Sequence, residues 1–506
     1  MLRSCRWRLW HPSGVSRIRK NALYSTSYNT TQRTEDSTEP SRLLTRTISD
    51  ILPAFHVPGD TISVLTKPND YYQSLLAMIA KAKQRIVISS LYIGETENQL
   101  ISALSDALSR NDHLEVTIQV DALRSTRPSK TQASPAHLLL PLTKAYPDRV
   151  QVKMFRSPKL DGPLRYLVPR RFDEGWGTWH AKVYLVDDEI LLSGANLNSS
   201  YFTNRQDRYI HLTRSPHLAN YLLRLLRVFA EYSSNLRFAP ESSLGYALDW
   251  LRHDSTPFTF APLIKKEVND LQVGEREAGP PNGIDNWVTI FPMVQSGVLG
   301  IREEERCLHA LFDLLDSGKL PQTSLVDITS GYFALYGPYQ DRVLASKAAY
   351  RIVAASPSAN GFLGSKGLSG RIPEGYTLLE KRFWDRVLAA RRQWDGDGGI
   401  ELREWQRPGW TYHAKGMWIS PSINEAPYAT LFGSTNLNSR SAHLDTEVSF
   451  LLSVPEQNSL LRTALRHEVT HIRNNTTKVD GQTFASPERR VSFTTRAIVA
   501  LVGTML

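Results

Sequence analysis

The chain has 506 residues, enough for two or more ordinary domains, and its 41% hydrophobic and 22% charged residues are those of a soluble globular protein. Its two cysteines, Cys5 and Cys307, exclude a disulfide framework and a cysteine-based zinc site. The formal net charge of +10 is concentrated at the N-terminus, since seven basic residues and no acid precede Thr34, leaving 53 basic against 50 acidic residues elsewhere. This near-neutral balance argues against a nucleic-acid partner.

The N-terminal segment is rich in Arg and Ser, with apolar residues interspersed and Glu35 as its first acid. This composition is typical of a mitochondrial presequence and lacks the continuous apolar core of a secretory signal. A basic disordered tail is the alternative. We assign residues 1–40 to a presequence and linker, with processing expected near residues 21–27. No run of about 18 apolar residues predicts a transmembrane helix. The C-terminal "AIVALVGTML" is interpreted as a buried helix end, with shallow membrane contact as the alternative.

Helical and strand-like stretches alternate along residues 41–237, which we take as the first half of the protein. "DYYQSLLAMIAKAKQ" has helical spacing and is followed by the strand-like "RIVISSLY". "ENQLISALSDALSR" is again helical, and "LEVTIQVD" and "VQVKMF" are two further strands. This alternation predicts an α/β fold with a mixed or largely parallel sheet.

A polar motif interrupts an apolar strand in this half, at "HAKVYLVDDEILLSGANLNSSYFTNRQD". Residues i and i+2 of a strand point to the same face, so His180 and Lys182 are expected side by side. A small-residue turn after the next strand can bring the amide of Asn196 to the same point. The motif ends at Asp207.

Residues 291–506 repeat this organisation after a stretch rich in Pro, Gly and charge (238–290), which we take as a linker. The second motif, "HAKGMWISPSINEAPYATLFGSTNLNSRSAHLDTE", contains His413, Lys415, Asn436 and Glu447. Asn436 and Glu447 each lie 240 residues after their counterparts in the first motif. A constant offset indicates internal duplication. Nearby His443 and Asp445 are interpreted as surface or supporting residues.

Two His, two Lys and two Asn around one pocket suit the chemistry of a phosphodiester. The Lys and Asn side chains can hold the non-bridging oxygens, while one His attacks phosphorus and the other protonates the leaving oxygen. We expect His180 to be the nucleophile, because the complete motif surrounds it, and His413 the acid and base. Asp207 and Glu447 are the candidates for fixing the imidazole tautomers. No metal and no cofactor is required by this chemistry.

The first motif resembles the HxKx4D motif of the phospholipase D superfamily through His180, Lys182 and Asp187. The second departs from it, because Ser420 stands where the Asp is expected. The resemblance implies a duplicated α/β fold of two α/β/α sandwich halves with the active site between them. In that superfamily the Asp is mainly supportive, so its loss bears on the anchoring of the strand more than on the chemistry.

Three further stretches are similar to the mitochondrial phosphatidylglycerophosphate synthase family: "SGANLNSSYFTNRQDRY", "SPSANGFLGSKGLSGRIPEGYT" and "GWTYHAKGMW". This resemblance implies transfer of a phosphatidyl group from CDP-diacylglycerol to sn-glycerol 3-phosphate with release of CMP, the first committed step toward phosphatidylglycerol and cardiolipin. It also implies a peripheral protein on the matrix side of the inner mitochondrial membrane.

Four basic residues are candidates for binding the phosphate of glycerol 3-phosphate or the diphosphate of the donor. Arg124 and Arg127 end a strand in "VDALRSTR", and Lys366 and Arg371 belong to the Gly-rich "NGFLGSKGLSGRIP". Solvated loop residues are the alternative interpretation.

Three other functions are compatible with parts of the pattern. A phospholipase D-type hydrolase would use the same chemistry with water as acceptor. A nucleic-acid phosphodiesterase is disfavoured by Asp187 and by the near-neutral charge. A non-catalytic binding module is disfavoured by the intact His and Lys in both motifs.

Overall fold

The computed structural model describes residues 39–128, 133–159, 173–257, 259–278, 287–396 and 398–503. The segment predicted as a presequence lies outside these residues, apart from its last two positions. The described α-helices are α1 Pro40–Ser49, α2 Pro68–Lys81, α3 Asn98–Arg110, α4 Ala122–Thr126, α5 Pro135–Ala145, α6 Ser199–Thr203, α7 Pro216–Glu231, α8 Ala261–Ala278, α9 Glu303–Asp316, α10 Gly337–Ala345, α11 Ile372–Ala389, α12 Ser439–His443, α13 Ser459–Arg473, α14 Gly481–Ala485 and α15 Phe493–Val502. None of them combines the length and apolar character needed to cross a bilayer.

The described strands fall into two large sheets and one short pair. Those up to residue 249 are β1 Phe55–Val57, β2 Ile62–Leu65, β3 Arg85–Ser89, β4 Glu115–Asp121, β5 Val150–Phe155, β6 Val183–Val186, β7 Glu189–Ser193, β8 Arg205–Gln206, β9 Tyr209–Leu212, β10 Ser234–Phe238 and β11 Tyr246–Asp249. The later ones are β12 Val288–Ser296, β13 Ile301–Arg302, β14 Leu325–Ser330, β15 Ala349–Ala355, β16 Ile400–Trp405, β17 Thr411–Tyr412, β18 Lys415–Ser420, β19 Ala429–Gly433, β20 Glu447–Ser453 and β21 Thr476–Lys478.

The two large sheets have the same plan. The first sheet follows the order β11-β10-β5-β4-β3-β6-β7-β9-β2, and the second follows β1-β12-β20-β19-β18-β14-β15-β16-β21, with β13 also paired to β12. In each sheet a parallel trio of strands (β3-β4-β5 or β14-β15-β16) adjoins an antiparallel hairpin that begins at a HAK motif. The shared plan agrees with the internal duplication indicated by the sequence.

Helices cover both faces of each sheet, which explains why the central strands are apolar on both faces. All four residues of β6 and all six of β18 are buried. Helices α2, α3 and α5 pack on the outer face of the first sheet, and α1, α9, α10 and α11 on that of the second. The inner faces meet one central core that also contains α7 and α13. Two α/β/α sandwiches therefore pack against each other.

Helix α7 shows how the sequence produces this inner layer. Pro216 occupies its first turn, where a missing N–H is tolerated, and Leu218, Leu222, Leu225 and Phe229 follow at helical spacing. All four side chains are at most 1% exposed in the central core. Removing the Phe229 ring by substitution with Ala would cost about 3–5 kcal/mol.

The region between the halves has structure of its own. Residues 238–290, expected as a linker, contain β11 of the first sheet and the 18-residue helix α8, which packs on α7. At the other end of the first half, α1 and β1 belong to the second sandwich: β1 pairs with β12, and α1 contacts α9 and β20. The described part of the predicted linker therefore includes regular structure.

Candidate active site

The two HAK motifs meet where the halves face each other, and backbone hydrogen bonds fix their positions. The short strands β8 and β17 pair in parallel, and the His413 N–H donates to the Gln206 carbonyl at 2.8 Å. On the other side of the site, the His180 N–H donates to the Thr446 carbonyl at 2.9 Å. Each histidine is thus tied to the residue that directly precedes the acid of the opposite half.

These backbone pairs produce crossed contacts between imidazoles and carboxylates. His180 Nδ1 lies 2.8 Å from Glu447 Oε2, and His413 Nδ1 lies 2.6 Å from Asp207 Oδ2. Both carboxylate side chains are fully buried. Ser441 Oγ also donates to Glu447 Oε1 at 2.7 Å. A carboxylate on Nδ1 holds the proton there and leaves Nε2 as the reactive nitrogen of each ring.

The electrostatics of the two pairs differ. Burial and the Lys182 charge lower the pKa of His180, opposed by Glu447, whereas burial with the charges of Lys415 and neighbouring cations lowers the pKa of His413 well below its ordinary value. Burial tends to raise the pKa of Glu447, but His180 and Lys182 lower it to about 2. Burial raises the pKa of Asp207 to about 6, although Lys415 opposes this. Of the two carboxyl groups, Glu447 is therefore the more readily ionised and Asp207 the more readily protonated.

Both motif lysines are almost completely buried and point into the same site. Lys182 Nζ donates to the His180 carbonyl at 2.6 Å, and Lys415 Nζ lies 2.9 Å from both the His413 carbonyl and its Nδ1. Burial lowers the pKa of Lys182 to about 7 and that of Lys415 to about 8. Two desolvated ammonium groups are strong partners for an anion that enters the site.

The two turn asparagines also lie in the site. Asn196 Nδ2 donates to the Tyr201 hydroxyl at 3.0 Å, and the Asn436 backbone N–H donates to Ser441 Oγ. Among the described residues, the Oδ1 atoms of Asn196 and Asn436 are buried and accept no hydrogen bond. A buried amide oxygen without a partner is costly in a resting protein and can be satisfied by a ligand that brings a hydrogen-bond donor, such as a hydroxyl group.

Asp187, expected among the catalytic residues, has a structural position instead. Its carboxylate accepts the backbone N–H groups of Lys83, Gln84 and Arg85 at 2.8–3.0 Å, at the end of β6 away from the histidine. At 3.3 Å per strand residue, Asp187 is roughly 16 Å along the chain from Lys182. It therefore joins β6 to the start of β3.

The second half makes the corresponding junction without an acid. Ser420 ends β18, and the neighbouring Pro421 carbonyl accepts a hydrogen bond from the Thr323 hydroxyl at 2.9 Å. A neutral contact replaces the carboxylate, so the departure of the second motif from HxKx4D leaves the active site itself unchanged.

The four acceptor candidates differ in their surroundings. Arg127 Nη1 lies 2.6 Å and Arg124 Nη1 3.6 Å from Glu174 Oε1, so both guanidinium groups share one carboxylate. Arg371 pairs with Glu374 at 3.1 Å, near the start of α15, and Lys366 is exposed.

Sequence reasoning missed several residues that surround the histidines. The Tyr201 and Tyr332 rings stand edge-on to the His413 ring, with centroids 5.1 and 5.6 Å away, and the Arg205 guanidinium lies 4.3 Å from the Tyr201 ring centroid. Arg205 and Tyr201 fall inside the motif already quoted, at positions that carry no periodic signal. Tyr332 lies two residues after the end of β14, so its place near a strand end was the available clue.

Asp445 was interpreted as a surface or supporting residue, and the structure shows it 2% exposed. It accepts the Thr178 N–H at 2.9 Å and pairs with Arg440 at 2.8 Å, which holds the strand leading to His180. Donor atoms of His180, Asp445 and Glu447 lie within 4.8 Å of one another. The Arg440 guanidinium pairs with Asp445, and the His180 ring faces Glu447.

Several known proteins are similar to this chain in sequence. A family model described as "Cardiolipin synthase, PLD-like domain" matches residues 75–227. The mitochondrial CDP-diacylglycerol–glycerol-3-phosphate 3-phosphatidyltransferase of Gallus gallus is 32% identical over 490 residues, covering 90% of this chain and 85% of that protein. The Homo sapiens protein of the same name is 31% identical, covering 90% and 84%. The Schizosaccharomyces pombe CDP-diacylglycerol–glycerol-3-phosphate 3-phosphatidyltransferase is 33% identical, covering 85% and 92%.

Among solved structures, phosphatidylserine synthase of Haemophilus influenzae is similar, with a TM-score of 0.67 and 18% identity. The similarity covers 92% of this chain and 98% of that one, which shows a common fold for the two-sandwich arrangement.

Proposed function

The chain belongs to the family of CDP-diacylglycerol–glycerol-3-phosphate 3-phosphatidyltransferases, and we propose that it performs this transfer in two steps through a phosphohistidine at His180. The reaction moves the phosphatidyl group of CDP-diacylglycerol to sn-glycerol 3-phosphate and releases CMP. The observation that carries the two-step mechanism is the pair of buried imidazoles, each with a carboxylate on Nδ1.

In the first step, the lone pair of His180 Nε2 attacks the phosphatidyl phosphorus. The P–O bond to CMP breaks, and His413 gives its Nε2 proton to the departing oxygen. Lys415 is one of the causes that lower the pKa of His413, and the negative diphosphate of the donor offsets this charge. Substrate binding thereby raises the protonated fraction of His413 at the moment when an acid is needed.

In the second step, His413 removes the proton from a hydroxyl of glycerol 3-phosphate. The oxygen attacks phosphorus, the P–N bond breaks, and His180 recovers its lone pair. Lys182, Lys415 and the two turn asparagines hold the non-bridging oxygens through both steps, where negative charge accumulates in the transition state.

The choice of His180 as nucleophile rests on the electrostatic difference between the pairs. An imidazole that carries phosphorus becomes cationic and needs a fixed anion beside it. Glu447, whose pKa is lowered to about 2 by His180 and Lys182 despite burial, supplies that anion. Asp207, whose pKa burial raises to about 6, is better suited to a histidine that exchanges a proton in each step.

Isolation of the intermediate tests this mechanism. We would mix the enzyme with CDP-diacylglycerol labelled in its phosphatidyl phosphate, omit the acceptor, quench in base and map the labelled peptide. Label on His180 is expected, and addition of glycerol 3-phosphate should discharge it. His309→Gln in α9 is the control and should label normally. Label on His413 alone would reverse the assignment, and a labelled lipid product without any labelled protein would indicate direct transfer.

The membrane surface is the second part of the proposal, because the donor carries two acyl chains and stays in a bilayer. On α15, Phe493 is 85% and Leu501 84% exposed, and Arg490 and Arg496 are exposed beside them. Apolar side chains with nearby arginines favour an anionic lipid surface.

A flotation assay with cardiolipin-containing vesicles tests this contact. The double variant Phe493→Ser/Leu501→Ser should bind the vesicles more weakly than the wild type. Leu460→Ser on α13, where Leu460 is 87% exposed, is the matched control; equal binding by all three proteins would exclude α15 as the contact.

The protein is mitochondrial, and we propose that residues 1–34 deliver it to the matrix side of the inner membrane, without a nucleic-acid partner. A chain that starts at Glu39 retains every described residue and should be active in vitro but absent from mitochondria in cells. Correct import of this shortened chain would exclude a role for the N-terminal segment. Mitoplasts, in which only the outer membrane has been opened, test the side of the inner membrane. The enzyme should be protected from added protease there, and its digestion would place it in the intermembrane space.

A further inference from the structure

We propose that Arg205 binds the phosphate of the acceptor, in a cavity between the segments 358–363 and 406–411. The inference rests on the proposed two-step transfer and adds the residue that distinguishes glycerol 3-phosphate from an unphosphorylated alcohol. It moves this role away from the four basic residues that the sequence suggested.

Arg205 is held in a defined orientation beside the catalytic histidine of the second half. Its Nε donates to Thr411 Oγ1 at 2.9 Å, and its guanidinium carbon lies 4.3 Å from the Tyr201 ring centroid. Tyr201 in turn contacts the His413 ring and accepts from Asn196 Nδ2. The guanidinium, which also hydrogen-bonds to the Tyr201 side chain, is therefore one aromatic ring away from the reacting groups, and its planar fork suits a phosphate.

The charge of Arg205 has no carboxylate partner within 4.0 Å in the part of the chain that the structure describes. By contrast, Arg124 and Arg127 share Glu174, and Arg371 is paired with Glu374. A partly buried arginine without an acidic partner is suited to an anion that enters the site.

A cavity of about 390 Å³ lies next to residues that contact this guanidinium. Gly361 and Thr411 are part of its lining, and a Cβ added to Gly361 would lie 3.1 Å from Arg205 Nη2. Trp410 and Arg407, stacked at 3.9 Å, form another part of the wall. The absence of a side chain at Gly361 leaves room beside the guanidinium, and a small phosphorylated alcohol fits a space of this size.

The order of the two displacements favours this side of the site. Each attack on phosphorus is roughly in line with the departing bond, so CMP leaves opposite His180, next to His413. The acceptor must then enter from the same side. A glycerol backbone can keep its phosphate on Arg205 while a terminal hydroxyl reaches His413.

The duplication gives independent support, since the two halves differ at this position. The residue 240 positions after Arg205 is Asp445, which pairs with Arg440 and lies on the His180 side. Because position 205 carries a cation and position 445 an anion, a phosphate subsite is expected on the His413 side alone. This is the side that the chemistry assigns to the acceptor.

The test compares two acceptors that differ only in the phosphate. For the wild type, Arg205→Gln and Arg205→Lys, kcat/KM is measured with glycerol 3-phosphate and with glycerol. We expect Arg205→Gln to lower the ratio of the two values by about 10- to 150-fold, the loss of one charge-assisted contact, mainly through KM for glycerol 3-phosphate. Arg205→Lys should restore part of the ratio. Arg403→Gln is the matched control, because Arg403 Nε also donates to a threonine hydroxyl, at the far edge of the second sheet.

An equal loss with both acceptors, or an unchanged ratio, would overturn the assignment of Arg205. Exchange of labelled CMP into CDP-diacylglycerol, measured without acceptor, separates this failure from failure of the two-step mechanism. If the wild type shows no exchange, the phosphohistidine is wrong, while the acceptor ratio still reports on Arg205. If Arg205→Gln lowers the rate of CMP exchange as much as it lowers the acceptor ratio, Arg205 acts on the donor, which contradicts the proposal.

Discussion

His180 and Glu447 are 267 residues apart and belong to different sandwiches, yet His180 Nδ1 and Glu447 Oε2 are separated by 2.8 Å. The pair of His413 and Asp207 repeats this relation in the opposite direction. Each half thus supplies one imidazole and the carboxylate that orients the imidazole of its neighbour. Neither half contains a complete catalytic pair.

The first prediction concerns these carboxylates. Glu447→Gln removes the anion and offers an amide to His180 Nδ1, so the wrong tautomer and an uncompensated phosphohistidine charge should lower kcat by roughly 10³–10⁴-fold, as for other carboxylates that orient a catalytic histidine. Steady-state transfer rates at saturating donor measure this. Glu304→Gln is the control, a nearby buried carboxyl bonded to Thr435 and Ser449. A Glu447→Gln rate within tenfold of the wild type would contradict the orienting role.

The second prediction concerns the motif lysines. Lys415→Ala should cost about 2–4 kcal/mol of transition-state stabilisation, or roughly 30- to 1,000-fold in kcat/KM, because a preorganised cation is lost. Lys153→Ala is the matched control, since Lys153 is a half-buried lysine of β5 outside the site. Unchanged turnover in Lys415→Ala would remove the second motif from the chemistry.

The third prediction is that Asp187 supports the fold rather than the reaction. Asp187 has φ +52°, which Asn tolerates, so Asp187→Asn isolates the loss of charge-assisted bonds to three backbone N–H groups. Urea unfolding should show a loss of about 1–3 kcal/mol, with kcat changed by only a few-fold below the transition. Asp188→Asn, an exposed neighbour, should leave both values unchanged. A large fall in kcat without destabilisation would restore Asp187 to the catalytic group.

The fourth prediction links pH to stability. Burial raises the pKa of Glu304 to about 7 from an ordinary value of 4.5. The folded state therefore holds this proton more tightly than the unfolded state, and the stabilisation that is fully present below about pH 4.5 is lost as pH rises through 7. Glu304→Gln cannot ionise, so its Tm relative to the wild type should increase between pH 5 and pH 8. A difference in Tm that stays constant over this range would refute the raised pKa.

The fifth prediction concerns metal ions. Donor atoms of His180, Asp445 and Glu447 lie close enough to hold one, but the proposed chemistry draws its positive charge from lysines and imidazoles. Activity in mixed detergent micelles, where no ion is needed to bridge charged lipids, should survive exhaustive treatment with a strong chelator. Loss of activity that a single divalent cation restores would contradict a metal-free reaction.

The sequence was sufficient for the elements that carry strong local patterns. Strands β6 and β18 and helices α2 and α3 follow directly from apolar periodicity, and the shared offset of 240 residues from Asn196 to Asn436 and from Asp207 to Glu447 indicated the duplication. The same spacing could not say which acid meets which imidazole, because Asp207 and Glu447 are equivalent in sequence. The crossing depends on the parallel pair of β8 and β17, a tertiary contact two residues long.

Three positions were left open by the sequence. Asp187 belongs to the motif in sequence, but one strand length separates it from the chemistry. Asp445 is polar and follows a short helix, which suggests exposure, yet its ion pair with Arg440 permits burial. Arg205 stands between neighbours that give no helical or strand period, so only its packing on Tyr201 reveals it.

The position of α1 and β1 bears on the order in which the chain can fold. Strands β2 to β11 of the first sheet are contiguous in sequence apart from the pair-forming β8, so this sheet can close while synthesis continues. His56 of β1, however, meets Thr289 233 residues later, and the Ser41 carbonyl accepts from Ser453 412 residues later. Closing loops of this length is entropically costly and slow. The early residues therefore wait for those made nearly last, and loss of α1 and β1 would open the edge of the second sheet formed by β12.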